Sequence, residues 1–83
     1  MRAIVNVFLK DGVLDPQGKA TRHALESLGF NNINKVRIGK QIIIDLDAKT
    51  EDEAQKEVTK MSETLLANTV IEDYTIEIEK WKK

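Results

Sequence analysis

His23 is the only histidine in the sequence, and there is no cysteine. A nucleophilic site needs a base within hydrogen-bond reach of a nucleophile, and no serine stands at a suggestive spacing from His23. Beside Arg22 and one residue before Ala24, His23 reads as a helix-surface residue. Asp45 and Asp47 lie two apart and so share one face of a strand, as an acid pair or two metal ligands would. Divalent oxygen sites need several converging groups, and no other ligand set accompanies this pair, which reads as a solvated strand end. Arg37, Gly39 and Lys40 set two cations around a glycine, an arrangement that can grip a phosphate or a partner's carboxylate. Gly39 also suits a turn on its own account. Neither a Walker loop nor a dinucleotide fingerprint is present, so the catalytic inventory is nearly empty.

The elements that position these residues fit one small domain spanning 1–83, of 83 residues in all. A chain of this size buries about 60 to 65 per cent of its unfolded surface, so association is a sensible way to bury more. No segment resembles a signal peptide and no apolar run approaches a membrane span, which predicts a cytoplasmic protein with no membrane partner. The net charge is −1, and Phe8, Phe30, Tyr74 and Trp81 are not interleaved with a basic strip. Nucleic acid is therefore not an expected partner. The charge is unevenly placed: Met1 to Lys40 holds seven Lys or Arg against three acids, and Gln41 to Lys83 six against eleven. Such asymmetry suits head-to-tail or self-complementary association.

The stretch Leu9 to Gly18 joins the first strand to the first helix. Asp15 is placed to cap that helix and Pro16 to open it, where a missing N–H costs nothing. Arg2 to Lys10 alternates, with Ala3, Val5, Val7 and Leu9 on one face. Ala20, Ala24 and Leu28, flanked by Leu25, form the stripe of the helix. Gly29 ends it in a left-handed cap, with Phe30 folding back on the last turn. Asn32 to Ile38 and Gln41 to Asp47 read as two strands joined by a tight turn at Gly39 and Lys40, hence antiparallel. Thr50 and Glu53 form a capping box for a second helix with the stripe Ala54, Val58, Met61 and Leu65, which Asn68 ends. Val70 to Trp81 is the last strand, with Tyr74, Ile76 and Ile78 on one face and Thr75, Glu77, Glu79 and Trp81 on the other. The predicted fold is α+β: a βαββαβ ferredoxin-like layer, an antiparallel sheet with two helices on one face. It is expected to be oligomeric, and its last strand could be exchanged between chains about Ala67 to Thr69. Leu66, Val70 and Ile71 exceed the needs of one small core and suggest an interface.

Gly12 to Gly18, reading Gly-Val-Leu-Asp-Pro-Gln-Gly, stands with Ala24, Leu25, Leu28, Gly29 and Phe30. Val36, Arg37, Gly39 and Lys40 follow, then Leu65 to Tyr74 with its Leu-Ala-Asn and Ile-Glu-Asp-Tyr. Together these residues resemble the PurS family, the small subunit of phosphoribosylformylglycinamidine synthase in de novo purine biosynthesis. The resemblance implies a subunit with no catalytic residues and no cofactor of its own. Its expected partners are a PurQ-type glutaminase, which releases ammonia from glutamine, and a PurL-type synthetase. The synthetase, carrying ATP and magnesium, activates the amide oxygen of formylglycinamide ribonucleotide so that ammonia displaces phosphate. The small subunit would bridge the two and assist ammonia transfer, itself forming a homodimer or homotetramer. The residues expected at contacts are Asp15, Gln17 and Gly18 at the helix start, Arg37 and Lys40 at the hairpin, and Asn68, Asp73 and Tyr74 in the tail. Thr69 stands where the family carries proline, and Ser62 where it commonly carries cysteine. The alternative reading is a ferredoxin-like small-molecule sensor that binds an anion at Gly39 and Lys40 and regulates an enzyme.

Overall fold

A computed structural model of the chain describes residues 1–80; the expected place of Trp81 on the outer face of the last strand lies outside the described residues. The element order is β1 (Arg2–Leu9), α1 (Pro16–Ser27), β2 (Gly39–Asp45), α2 (Glu51–Met61), a π-helical turn (Ser62–Leu66) and β3 (Glu72–Glu79). The strands form one sheet in the order β2-β1-β3, antiparallel throughout. This is the expected ferredoxin-like α+β arrangement, with β1 in the centre.

Strand pleating sorts the side chains. Ala3, Val5 and Val7 point to one face beside Ile42 and Ile44 of β2 and Tyr74, Ile76 and Ile78 of β3. There they meet Val58 of α2 and Ala67 to form the core. The other face carries Ile4, Asn6 and Phe8 beside Gln41 and Ile43, and the acidic row Asp73, Glu77 and Glu79 of β3. At its thinnest the molecule measures 14 Å. That thickness leaves room for a sheet and one helical layer, so the second face is open in the single chain.

One predicted strand is absent. Asn32 to Ile38 has no regular structure, and Gly39 and Lys40 belong to the start of β2 rather than to a turn. Two-residue hairpins require positive φ, and among the described residues only Gly12 and Gly29 adopt it. The hydrogen bonds of the segment go elsewhere: the Ile38 N–H donates to Asp15 Oδ2 at 2.9 Å and the Arg37 guanidinium donates to the Leu9 carbonyl. The segment is tied to the β1–α1 connection, and the strand edge it would have covered stays unpaired among the described residues.

Both helix starts are as predicted. Asp15 Oδ1 accepts from Gly18 N at 2.8 Å with Pro16 in the first turn, and Thr50 Oγ1 accepts from Glu53 N at 3.1 Å. Glu53 reaches back to the N–H of Lys49, at 3.2 Å, one residue before the cap. At the end of α1, Gly29 has φ +98°. Its N–H donates to the Glu26 carbonyl and that of Phe30 to the Leu25 carbonyl, the paired pattern of a Schellman cap.

The stripe of α2 departs from expectation after Val58. Met61 and Leu65 point outward, Leu65 being 82% exposed, while Ser62 is buried and Leu66 packs on the core. The cause is the π-helical turn, in which Ala67 N donates to the Ser62 carbonyl at 3.0 Å. The extra residue in that turn keeps a strict four-residue spacing, Ala54, Val58, Ser62 and Leu66, on one face. Buried Ser62 satisfies its hydroxyl on the Val58 carbonyl at 2.8 Å. Helix α2 covers the sheet. Helix α1 stands beside it, with Ala20, Ala24 and Leu28 open to solvent and Leu28 74% exposed.

Candidate functional site

One end of the sheet gathers the residues of interest, because β1 ends there, α1 and β2 begin there, and β3 starts opposite Leu9. Asp15 is its centre. One carboxylate oxygen caps α1 through Gly18 and the other accepts from Ile38. The Ile38 N–H, then the Gly18 N–H, and then the Arg37 charge hold its carboxyl below the usual carboxylate range. Gly18 is buried because Val36 lies against it: a Cβ there would stand 2.2 Å from the Val36 carbonyl oxygen and 2.8 Å from Asp15 Oδ2. One aspartate and one glycine thereby fix helix α1, the 34–38 segment and the start of β2 to each other.

Two depressions flank Asp15. The first, of about 310 Å³, is lined by Phe8, Asp15, Gln17, Gly39, Lys40 and Glu72 among others. The predicted residues Asp15, Gln17 and Lys40 therefore come together. Lys40 lies opposite Val7, which on its other side faces Tyr74, placing Lys40 and Tyr74 in one row across the helix-covered face. The second depression, of about 450 Å³, runs between Lys10–Asp15, the first half of α1 and Asn34–Arg37, with Gly18 in its floor.

Arg37 is less free than the sequence suggests. Besides its bond to the Leu9 carbonyl, it approaches Asp11 Oδ1 at 3.5 Å and lies 5.2 Å from the centroid of the Phe8 ring. It braces the loop after β1. In the tail, the Asn68 N–H donates to Glu72 Oε1 at 2.7 Å, and Asn68 Oδ1 accepts from Val70 N at 3.2 Å. These bonds hold the exit from the π-helical turn, so Thr69 supplies no proline rigidity and none is required. Tyr74 donates to Glu63 Oε1 at 2.9 Å, and that bond first, then burial, raises its pKa above the ordinary 10.0. Asp73 lies on the open sheet face opposite Phe8. Among the apolar residues of the tail, Val70 is 81% exposed, whereas Leu66 packs on the core.

The remaining candidates do not converge. His23 is exposed on α1. Asp45 pairs with Arg2 at 2.9 Å across the sheet, while Asp47 lies beyond the strand. Among the described residues no group of three or more His, Cys, Asp or Glu could hold a metal ion, and no helix is long and apolar enough to cross a membrane. Lys10, Lys19, Arg22 and Lys35, which line the second depression, were not singled out by sequence reasoning. The excess of cations in the first forty residues was their only trace.

Fold and site define a ferredoxin-like α+β chain whose polar features gather at one end of the sheet. The family described as PurS: Phosphoribosylformylglycinamidine (FGAM) synthase matches residues 2–80. The chain is 49% identical to the phosphoribosylformylglycinamidine synthase subunit PurS of Bacillus subtilis (strain 168) over 76 residues, 92% of this chain and 89% of that one. It is 47% identical to the Archaeoglobus fulgidus subunit PurS over 76 residues, 92% of this chain and 95% of that one. The crystal structure of Methanocaldococcus jannaschii PurS, described as one of the subunits of formylglycinamide ribonucleotide amidotransferase in the purine biosynthetic pathway, superposes with a TM-score of 0.88. It is 43% identical and the match covers 98% of each chain. A chain in the structure of PurLQS from Thermotoga maritima superposes with a TM-score of 0.84 at 29% identity, covering 92% of this chain and 93% of that one. The chain belongs to the PurS family, whose members named here are subunits of phosphoribosylformylglycinamidine synthase.

Proposed function

We propose that this chain is the non-catalytic small subunit that bridges the glutaminase and the ATP-dependent synthetase of phosphoribosylformylglycinamidine synthase and assists ammonia transfer between them. The observation that carries the reading is that four of the expected contact residues are spent on geometry. Asp15, Arg37, Asn68 and Tyr74 each hold a backbone or side-chain partner, and no nucleophile, base or ligand set stands among them. Ammonia released into water is protonated and diluted. A subunit that docks two active sites and excludes solvent raises flux without any reacting side chain. The synthetase carries ATP and magnesium; this chain holds no cofactor. PurLQS of Thermotoga maritima contains a chain of this fold, which supports a complex with PurL-type and PurQ-type partners.

Residues 1–83 act as a single PurS-like domain in a homodimer or homotetramer. Asp15, Gln17, Gly18, Arg37, Lys40, Asn68, Asp73 and Tyr74 are its contact positions, the first five at the α1 end of the sheet and the last three at the start of β3. The test is product formation by the matching synthetase and glutaminase, with and without the chain, with glutamine in one series and ammonium salt in the other. Glutamine-driven synthesis is expected to require the chain and ammonium-driven synthesis to be largely independent of it. If neither reaction responds to its absence, the reading fails.

A further inference from the structure

The groove of about 450 Å³ between the β1–α1 connection, α1 and the 34–37 segment is lined by Lys10, Lys19, Arg22, Lys35 and Arg37. The acids near it are already committed. Asp15 gives both oxygens to backbone N–H groups, Asp11 lies between Lys35 at 3.3 Å and Arg37 at 3.5 Å, and Glu26 pairs with Arg22 at 3.1 Å. Lys10 and Lys19 have no anionic partner among the described residues. The groove therefore keeps a positive excess within a concave wall, where the field of several cations adds. Leu14, 72% exposed, stands at its lip, with half-buried Val13 beside it.

We infer that this groove receives an acidic segment of a partner subunit, one that sets two or more carboxylates against Lys10 and Lys19 and an apolar side chain against Val13 and Leu14. The inference rests on the proposed assembly and names the chemistry of one of its contacts. A protein segment fits better than a small anion. The two unpaired cations come from different elements that line the groove, one from the β1–α1 connection and one from α1, and the exposed leucine has nothing to offer a phosphate. Groups of this kind act mainly on association rate and partner choice, and their effect weakens as salt rises.

The experiment measures binding of the full-length chain to the synthetase and to the glutaminase separately, at low and at elevated ionic strength. The variants are Lys10→Glu with Lys19→Glu, the neutral pair Lys10→Gln with Lys19→Gln, and Lys56→Glu with Lys60→Glu as a control of equal charge change on α2. The reversal pair is expected to weaken binding to one subunit at least tenfold at low salt. The neutral pair should do so by less and the control by little, with the differences shrinking at elevated salt. Equal effects of reversal and control, or no effect while the wild-type chain binds, would overturn the inference and leave the assembly reading intact. A wild-type chain that binds neither subunit would overturn both. If the reversal instead breaks up self-association of the chain alone, a second copy fills the groove. If inorganic pyrophosphate raises the melting temperature through these lysines and assembly does not change, a small anion fills it. Either result refutes the inference.

Discussion

Replacing Gly18 by alanine sets two physical effects of opposite sign against each other. Gly18 lies within α1, where alanine is favoured over glycine by about 1 kcal/mol. Against that, the new methyl carbon would stand 2.2 Å from the Val36 carbonyl oxygen, where ordinary contact begins at 3.4 Å. Its other neighbours are Asp15 Oδ2 at 2.8 Å and Asp15 Cγ at 3.0 Å, so relief in one direction drives the methyl into the helix cap. A backbone carbonyl must move by more than an ångström, which places the cost at the upper end of the roughly 1 to 3 kcal/mol typical of overpacking. The net expectation is destabilisation by about 1 to 2 kcal/mol, a fall in melting temperature of roughly 5 to 15 °C for a domain of this size. Because α1 stands apart from the core, part of the loss is expected as local detachment rather than global unfolding. Thermal melts followed by circular dichroism, with hydrogen exchange at the Ile38 amide, distinguish the two. A melting temperature equal to or above that of the wild type, with the Ile38 amide still protected, would refute the reasoning.

Other substitutions probe the remaining supports. Since the carboxyl of Asp15 is held below the ordinary range in the folded chain, its contribution is full above the unfolded value of about 3.9. It is lost as pH falls through the lower folded value. Melts across the acid range should therefore show a decline that is shallower in Asp15→Asn. Val58 is fully buried between α2 and the sheet, so Val58→Ala should cost about 1.5 to 3 kcal/mol in denaturant unfolding. Ser62→Ala should stay within about 1 kcal/mol of wild type in the same assay. The Val58 carbonyl that accepts from the hydroxyl also accepts from the Ser62 N–H, so no buried acceptor is abandoned.

Local signals in the sequence were reliable at three helix ends, where a residue type answers a backbone demand, and failed at Gly39, which lies in β2 rather than in a turn. Asp15 with Pro16, Thr50 with Glu53, and Gly29 each satisfy groups that a helix end leaves over, and all three ends stand where those residues put them. The alternation of β3 held for the same reason: each pleat turns its side chain over, so Tyr74, Ile76 and Ile78 had to share a face. What failed was decided by competition between distant groups. Asn32 to Ile38 has the apolar residues of a strand, but the Asp15 carboxylate takes the Ile38 N–H and the Leu9 carbonyl takes Arg37. No pattern within seven residues announces that bargain. Met61 and Leu65 turn outward because a stripe spaced 4, 3, 4 belongs to an α-helix only until one residue is added to a turn, after which the buried face runs Ala54, Val58, Ser62 and Leu66. Of the expected contact positions, Asp15, Gln17 and Lys40 line one depression. The cations of the neighbouring groove, scattered from Lys10 to Arg37 along the chain, become a group only when Gly18 lets the 34–38 segment close against α1. A chain that bonds Asp15 to its own backbone and pairs Asp11 and Glu26 with its own cations, while leaving Lys10, Lys19 and a row of apolar side chains uncovered, presents the surfaces on which the proposed assembly would form.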